Sequence, residues 1–444
     1  MEGRLIVIPP AYLLRKTLWA SNEDGTFVEM SEQMYRRRLR LMGVGNPDEI
    51  LNEITEKHVV DIATPLAGWP AGFVINNGVR CLVTRGPKLV EPKEGSWHTI
   101  GALLTNMFRK VQLPYFKSWL QCMLERVMKQ TSVPIQTIAI IGRPNSGKNR
   151  VQSWIITPLS GGTVANPYQY IVHSTGFNDD LGGATHLMIA DENSYTSKVV
   201  RDRIGDYVRQ LPVNEAQRIH PKGQKANQLV VMSVMSISCN LEPRDLLVIP
   251  PLEHNVQDRL HLFYAYSAPM PMATTTVGDK QNFEKQIREE LPAFAYHLLN
   301  EWETPPDILD PTGRFPTATW HHTKLIERLN WISTEGQYRQ IIFAVLKENA
   351  KAHRFVNSEL QWNGSRWEGT AAELQRLLCD RDYGMRDQVM RLASTPRGAG
   401  ELLSKLKDQY RTEFGITHKK NGNNVWAISL EGKLKPRFGK SRVL

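Results

Sequence analysis

The sequence predicts an α/β protein, with a parallel-sheet core, a mixed region before it and a helical region after it. Three observations carry this. Ile135–Ile141 is a short, almost wholly apolar, β-branched run, the pattern of a strand buried on both faces. Residues 133 to about 270 then alternate strand-like with helix-like segments, as a parallel sheet with crossover helices requires. After about residue 338 that alternation stops, and the order becomes three helices and a short hairpin.

The elements follow in chain order. Residues 1–115 read as a mixed α/β region with several prolines and glycines. Within it, Gly72–Thr84 has two apolar runs around Asn76-Asn77-Gly78, a hairpin signature. Tyr115–Lys129 has helical apolar spacing without proline and predicts a helix leading into the core, 116–275. Residues 276–336 read as mostly helical, broken at Leu291-Pro292 and between Pro305 and Pro316. Residues 337–430 form a separate module, and 431–444 a basic tail. A length of 444 residues accommodates several domains.

Composition bounds the class. A hydrophobic fraction of 41% and a charged fraction of 23% are those of a globular, soluble chain. No stretch has the roughly 18 consecutive apolar residues of a membrane span. Met1–Leu18 lacks the apolar core of a secretory signal. Cys81, Cys122, Cys239 and Cys379 lie far apart. They form neither a zinc spacing nor a disulfide framework, so a reducing cytosol is expected. The net charge of +10 favours a polyanionic partner, most simply nucleic acid. Arg36, Arg37, Arg38 and Arg40 form one basic cluster. Lys433, Lys435, Arg437, Lys440 and Arg442 form another, against the single acid Glu431. Such a tail binds phosphate without reading sequence.

A glycine-rich turn follows the first core strand: Gly142-Arg-Pro-Asn-Ser-Gly147-Lys148-Asn149. A loop that wraps phosphates needs glycines so that backbone N–H groups approach the anion. It needs a lysine for the β and γ oxygens, and a helix start whose dipole favours negative charge. All are present, which points to ATP at Gly142, Asn145, Ser146, Gly147, Lys148, Asn149 and Arg150. Asn149 stands where Ser or Thr usually faces Mg²⁺; its amide oxygen, or a water, takes that part.

Further elements extend this reading. His186-Leu-Met-Ile-Ala-Asp191-Glu192-Asn193 runs an apolar strand into two acids. Asp191 would hold Mg²⁺ and Glu192 would polarise the attacking water. Leu229–Asn240 is another buried run ending in a polar residue. Asn240 there orients the hydrolytic water, or else caps the following turn. Asp258-Arg259 offers an arginine to the γ-phosphate of a neighbouring subunit, with Arg244 a second candidate and a surface ion pair the alternative.

This order of motifs resembles the superfamily-three helicases, in particular the helicase part of phage and poxvirus-like primase-helicases. The variant Gly147-Lys148-Asn149, Phe177-Asn178 ahead of the Asp-Glu strand, and Gly86–Lys93 upstream are all similar to that type. The resemblance spans about residues 70 to 430 and is strongest from 135 to 262. It implies an AAA+-like ATPase core, a homo-hexameric ring and an Arg259 acting in trans. Residues 1–115 show no carboxylate cluster for primase chemistry. The expectation is therefore a standalone replicative helicase of a phage or mobile element, in a bacterial host's cytosol, beside a separate primase. The other reading is a non-enzymatic DNA-binding initiator that keeps the ATPase fold as a scaffold.

Two regions are candidates for single- and double-stranded DNA. Arg218-Ile-His220-Pro-Lys222-Gly-Gln-Lys225 contains Pro and Gly and carries two lysines, so it is expected to project from the core. In the family that it resembles, the matching loop enters the ring's channel and grips the strand through Lys222 and Lys225; mobile ammonium groups suit phosphate without base preference. The C-terminal module reads as a winged helix. Trp367–Cys379 is its first helix and Arg397–Phe414 its recognition helix. Leu402, Leu403 and Leu406 face the core, while Arg397, Lys405 and Arg411 face DNA. His418–Ser429 is a hairpin with Asn421-Gly422 or Asn423-Asn424 in its turn, carrying Lys419 and Lys420 toward DNA.

Overall fold

A computed structural model describes residues 8–131, 133–173, 178–190, 198–213, 216–351, 361–362, 366–420 and 422–434. The expected site residues Asp191 and Glu192, together with Phe177, Asn421 and the tail from Lys435, lie outside the described residues. The chain divides into two compact units, Met1–Leu325 and Ile326–Leu444.

The first unit opens on a small antiparallel sheet of β1 (Ala11–Leu14), β2 (Thr17–Ser21) and β3 (Phe27–Met30). Helices Glu32–Leu41 and Pro47–Lys57 bury Tyr35, Leu39, Leu51 and Ile54 against it. A second small sheet holds β4 (Ile62–Thr64), β5 (Gly72–Asn76) and β6 (Val79–Val83) in the order β4-β6-β5. The expected hairpin at Gly72–Thr84 is β5–β6. Asn77 and Gly78 turn it with φ of 50° and 77°, the positive pair that matches a two-residue loop to strand twist.

The long helix His98–Lys129 starts well before the expected Tyr115. Arg109 interrupts it with φ 58° and ψ 175°, and Pro114 follows a turn later. These breakers hid the first half, because a proline lacks the N–H that a helix interior uses. The helix is buried at Leu104, Met107, Phe108, Phe116 and Trp119, which form one core with Ile138, Ile140, Ile155, Phe283 and Phe294.

The central sheet is parallel throughout. Its strands are β7 (Thr137–Gly142), β8 (Val164–Ala165), β9 (His186–Ala190), β12 (Val234–Cys239) and β13 (Leu260–Ala265). They lie in the order β13-β7-β12-β9-β8. Every residue of β7 and β12 is buried, which explains why both read as continuous apolar runs. The hairpin β10 (Ala216–Ile219) and β11 (Asn227–Val230) stands apart from that sheet as an antiparallel pair. The side chain of Gln112 covers the free edge of β13. Its amide donates to Tyr264 O at 3.0 Å and accepts from Tyr264 N at 2.8 Å.

The second unit packs helices against an antiparallel sheet in the order β14-β15-β17-β16. These are β14 (Gln361–Trp362), β15 (Arg366–Thr370), β16 (Phe414–Lys420) and β17 (Asn423–Ser429). Trp367, expected on a helix, is on β15; the helix is Ala371–Leu378, started by a capping box of Thr370 and Glu373. The box places the boundary, because its two side chains satisfy each other's free backbone N–H groups. Helix Pro396–Gln409 ends before Phe414, which begins β16. Leu402, Leu403 and Leu406 are buried, as their spacing requires. Asn423 and Asn424 pair with Lys420 and Lys419 across the strands, which leaves Gly422, at φ 81°, in the turn.

Candidate nucleotide site and basic hairpin

In an open parallel sheet, ligands bind beyond the carboxyl ends of the strands. Here β7 runs into the Gly142–Asn149 loop, β9 ends at Ala190 directly before Asp191, and β12 between them ends just before Asn240. Gly142 is required by packing: a Cβ there would stand 2.4 Å from Ala265 O on β13. Asn145 and Gly147 hold φ of 61° and 90°, so the loop curls back on itself. Gly147 is backed by Met107 and Met270, whose methyl groups would each lie 3.1 Å from a Cβ there.

Lys148 is 4% exposed. Its ammonium donates to Asn240 Oδ1 and Arg143 O at 3.0 Å and to Gly142 O at 3.3 Å. The structure thus brings Lys148 and Asn240 together across two adjacent strands. Ser146 Oγ is buried with no partner among the described residues. A buried hydroxyl without a partner, next to a buried ammonium at a curled, glycine-containing loop, fits a phosphate chain, which would give Ser146 its acceptor and Lys148 an anionic one. Asn149 Oδ1 accepts from Ser238 Oγ at 3.0 Å. Its position beside the loop fits an oxygen ligand for Mg²⁺. Among the described residues no cluster of His, Cys, Asp or Glu forms a metal site. Arg150 packs over the rings of Trp154 and Phe283, 5.4 and 5.9 Å from their centres; burial lowers its pKa.

Behind this edge lies a closed ring of hydrogen bonds that sequence reading missed. The loop's helix runs from Lys148–Arg150 through a π-helical stretch, Val151–Ile156, into Thr157–Ser160. Thr157 Oγ1 spends its only proton on Gln152 O at 3.0 Å. It must therefore accept from His186 Nδ1, at 2.7 Å. With Nδ1 protonated, His186 Nε2 accepts from Ser236 Oγ at 2.7 Å. Ser236 in turn accepts from Gln152 Nε2 at 2.7 Å. The ring joins the loop's helix, β9 and β12, and it requires a neutral imidazole. Burial supplies that condition, pushing the His186 pKa down to about 3. The available signal was the one histidine opening an otherwise apolar strand.

The two candidate arginines differ in placement. Arg259 precedes β13 at the opposite end of the sheet from the loop, since Leu260 pairs with Thr137 and Ala265 with Gly142. Its side chain is 17% exposed beside Asp258 and its guanidinium donates to Arg209 O; burial lowers its pKa. Arg244 is exposed and follows β12 and Asn240.

The basic hairpin is docked, which corrects the expectation that it projects. Asn178 Nδ2 donates to Arg218 O at 2.7 Å and its Oδ1 accepts from His220 N at 2.9 Å. Asn76, at the end of β5, holds Val230 through Val230 O at 2.9 Å and Val230 N at 2.7 Å. At the tip, Gln224 donates to Ala63 O at 2.8 Å and accepts from Ala63 N at 3.1 Å, lying along the edge of β4 like an added strand. Ile219, Leu229 and Val231 complete the contact by burying against Ile62, Leu66, Cys81 and Val83. The side chains of Lys222 and Lys225 remain exposed. In the second unit Arg397, Lys405, Arg411, Lys419 and Lys420 are all exposed. Arg397 pairs with Glu401 at 3.2 Å and Lys405 with Glu335 at 2.9 Å. Among the described residues no helix is long and apolar enough to cross a membrane.

Neither a protein-family model nor a curated protein matches the sequence. The fold is similar to that of the NrS-1 C-terminal region. Its A-form apo structure superposes with a TM-score of 0.54 at 12% identity, covering 94% of this chain and 96% of that one. A second apo structure of the same region gives 0.54 at 12% identity, over 94% and 95%. The structure of SCCmec type IV Cch, described as an active helicase, gives 0.36 at 10% identity, over 96% and 94%; that superposition is too loose to support an inference.

Proposed function

We propose that this chain is an ATP-driven DNA helicase of the superfamily-three type, with an AAA+-like core working as a hexameric ring. The observation that carries the reading is the meeting of Lys148 and Asn240 at 3.0 Å on the carboxyl edge of a parallel sheet, beside the strand that leads into Asp191 and Glu192. In this reading Lys148 turns from Asn240 to the β and γ oxygens of ATP, freeing Asn240 to orient water. Glu192 polarises that water, and Asp191 with Asn149 serves Mg²⁺, which would neutralise developing charge when bound. Of the two arginines, the exposed Arg244 is better disposed than Arg259 to reach a neighbouring subunit's γ-phosphate.

Lys222 and Lys225 grip the strand backbone. The second unit is read as a winged helix that docks duplex DNA through Arg397, Lys405, Arg411, Lys419 and Lys420. The setting proposed is replication of a phage or mobile element in a bacterial cytosol, beside a separate primase. One observation favours the other reading: a hairpin clamped at base and tip suits an initiator that holds DNA without moving it. Measuring ATP hydrolysis with and without single-stranded DNA separates the two. The motor predicts turnover that rises with added strand; no turnover in either condition would leave the scaffold.

A further inference from the structure

The docked tip of the hairpin brings a second basic segment to the same place. Arg15 and Lys16 form the two-residue turn between β1 and β2, since Leu14 pairs with Thr17. The Arg15 guanidinium donates to Gly223 O at 2.9 Å, and Gly223 lies between Lys222 and Lys225. One bond occupies one of five guanidinium donors, and the others remain for a ligand. All four basic residues are exposed. Among the described residues, no carboxylate pairs with any of them. Two other exposed arginines are committed to carboxylates, Arg80 to Asp61 and Arg397 to Glu401.

The turn itself is built against local preference. Arg15 holds φ of 58°, and the first central position of a tight hairpin turn with positive φ is ordinarily glycine. The strained turn places the Arg15 side chain at the tip of the other hairpin.

We infer that Arg15 and Lys16 form, with Lys222 and Lys225, one composite contact for the phosphate backbone of single-stranded nucleic acid. The small N-terminal sheets are then part of the grip, held to the hairpin by Gln224 on Ala63. This rests on reading Lys222 and Lys225 as the strand-gripping residues. Phosphate contacts release counterions, so each one adds about 0.7 to the slope of log affinity against log salt on single strands.

The test is the salt dependence of binding of a fluorescent oligothymidylate by the full chain. Arg15→Gly with Lys16→Ala removes both charges and places glycine where φ is positive, so the turn is retained. The expected result is a slope flatter by about 1.4 for two contacts, matching the change in Lys222→Ala with Lys225→Ala. Arg15→Lys, which keeps the charge, should keep the wild-type slope. A wild-type slope in the Arg15 and Lys16 variant, beside a flattened one in the Lys222 and Lys225 variant, overturns the composite contact and leaves the hairpin reading intact. Wild-type slopes in both variants overturn the hairpin reading, and the composite contact with it.

Discussion

The Gly142–Asn149 loop and the basic hairpin are both held by polar side chains, the loop through a ring of side chains and the hairpin through side chains that clamp backbone. Around the loop, Gln152, Ser236, His186 and Thr157 close a ring in the interior, where all but Thr157 are fully buried. Around the hairpin, Asn178, Asn76 and Gln224 each grip backbone atoms instead; Asn76 is buried, while Asn178 and Gln224 are half-buried. Buried hydrogen bonds are costly to leave half-made, while exposed ones exchange readily with water. The loop's helix is therefore held to its sheet from the interior, while the hairpin is held by its three backbone clamps together with the buried Ile219, Leu229 and Val231.

The same contrast explains what the sequence revealed. The curled loop was legible because its residues are consecutive; the apolar run before Asn240, read as one stretch from Leu229, divides between β11 and β12. The hairpin at Asn77-Gly78 was legible from turn chemistry. The clamps were not. Gln224 and Ala63 lie 161 residues apart, and Asn76 and Val230 154 apart. An isolated Gln or Asn carries no periodic signal of such a partner. Strand boundaries at Trp367 and Phe414 were missed because each sits beside a helix-like apolar pattern, and only the capping box or the strand register fixes the end.

The largest expected effect falls on the loop. Lys148→Ala should weaken binding of a fluorescent ATP analogue by roughly 1,000-fold, about 4 kcal/mol, as for truncating a buried charged partner. Unchanged affinity would remove Lys148 from the site. Next, Ser236→Ala opens the ring and orphans His186 Nε2 and one N–H of the Gln152 amide, whose nitrogen keeps Ile189 O at 3.3 Å. It should cost about 3 kcal/mol in urea unfolding, given about 1–3 kcal/mol per orphaned group. A loss within experimental error would show that the ring is incidental.

Acid should act on the same ring. The folded pKa of His186 lies at about 3, below the ordinary value near 6.5. Between these values the unfolded chain binds the extra proton, so stability rises with pH through that window and falls as pH drops below 6.5. At pH 5 the loss from His186 is about 2 kcal/mol. His186→Asn should flatten that part of the pH–stability curve. His261, also pushed down to about 3 by burial, would keep its own share. A variant curve parallel to wild type would count against a neutral, ring-bound imidazole. The smallest effect belongs to the hairpin. Gln224→Ala removes two half-buried bonds to one residue and should cost about 1 kcal/mol, with faster amide exchange confined to residues near Ala63 and Gly223. A loss as large as that of Ser236→Ala would erase the contrast between the two regions.

The direct test of the motor is Lys222→Ala with Lys225→Ala, assayed for ATP hydrolysis and for displacement of a strand from a forked duplex. The account predicts basal hydrolysis close to wild type, loss of most stimulation by single-stranded DNA, and no displacement. A double variant that displaces the strand as fast as wild type would contradict it, and would leave the hairpin as a solvated turn beside an ATPase that grips DNA elsewhere.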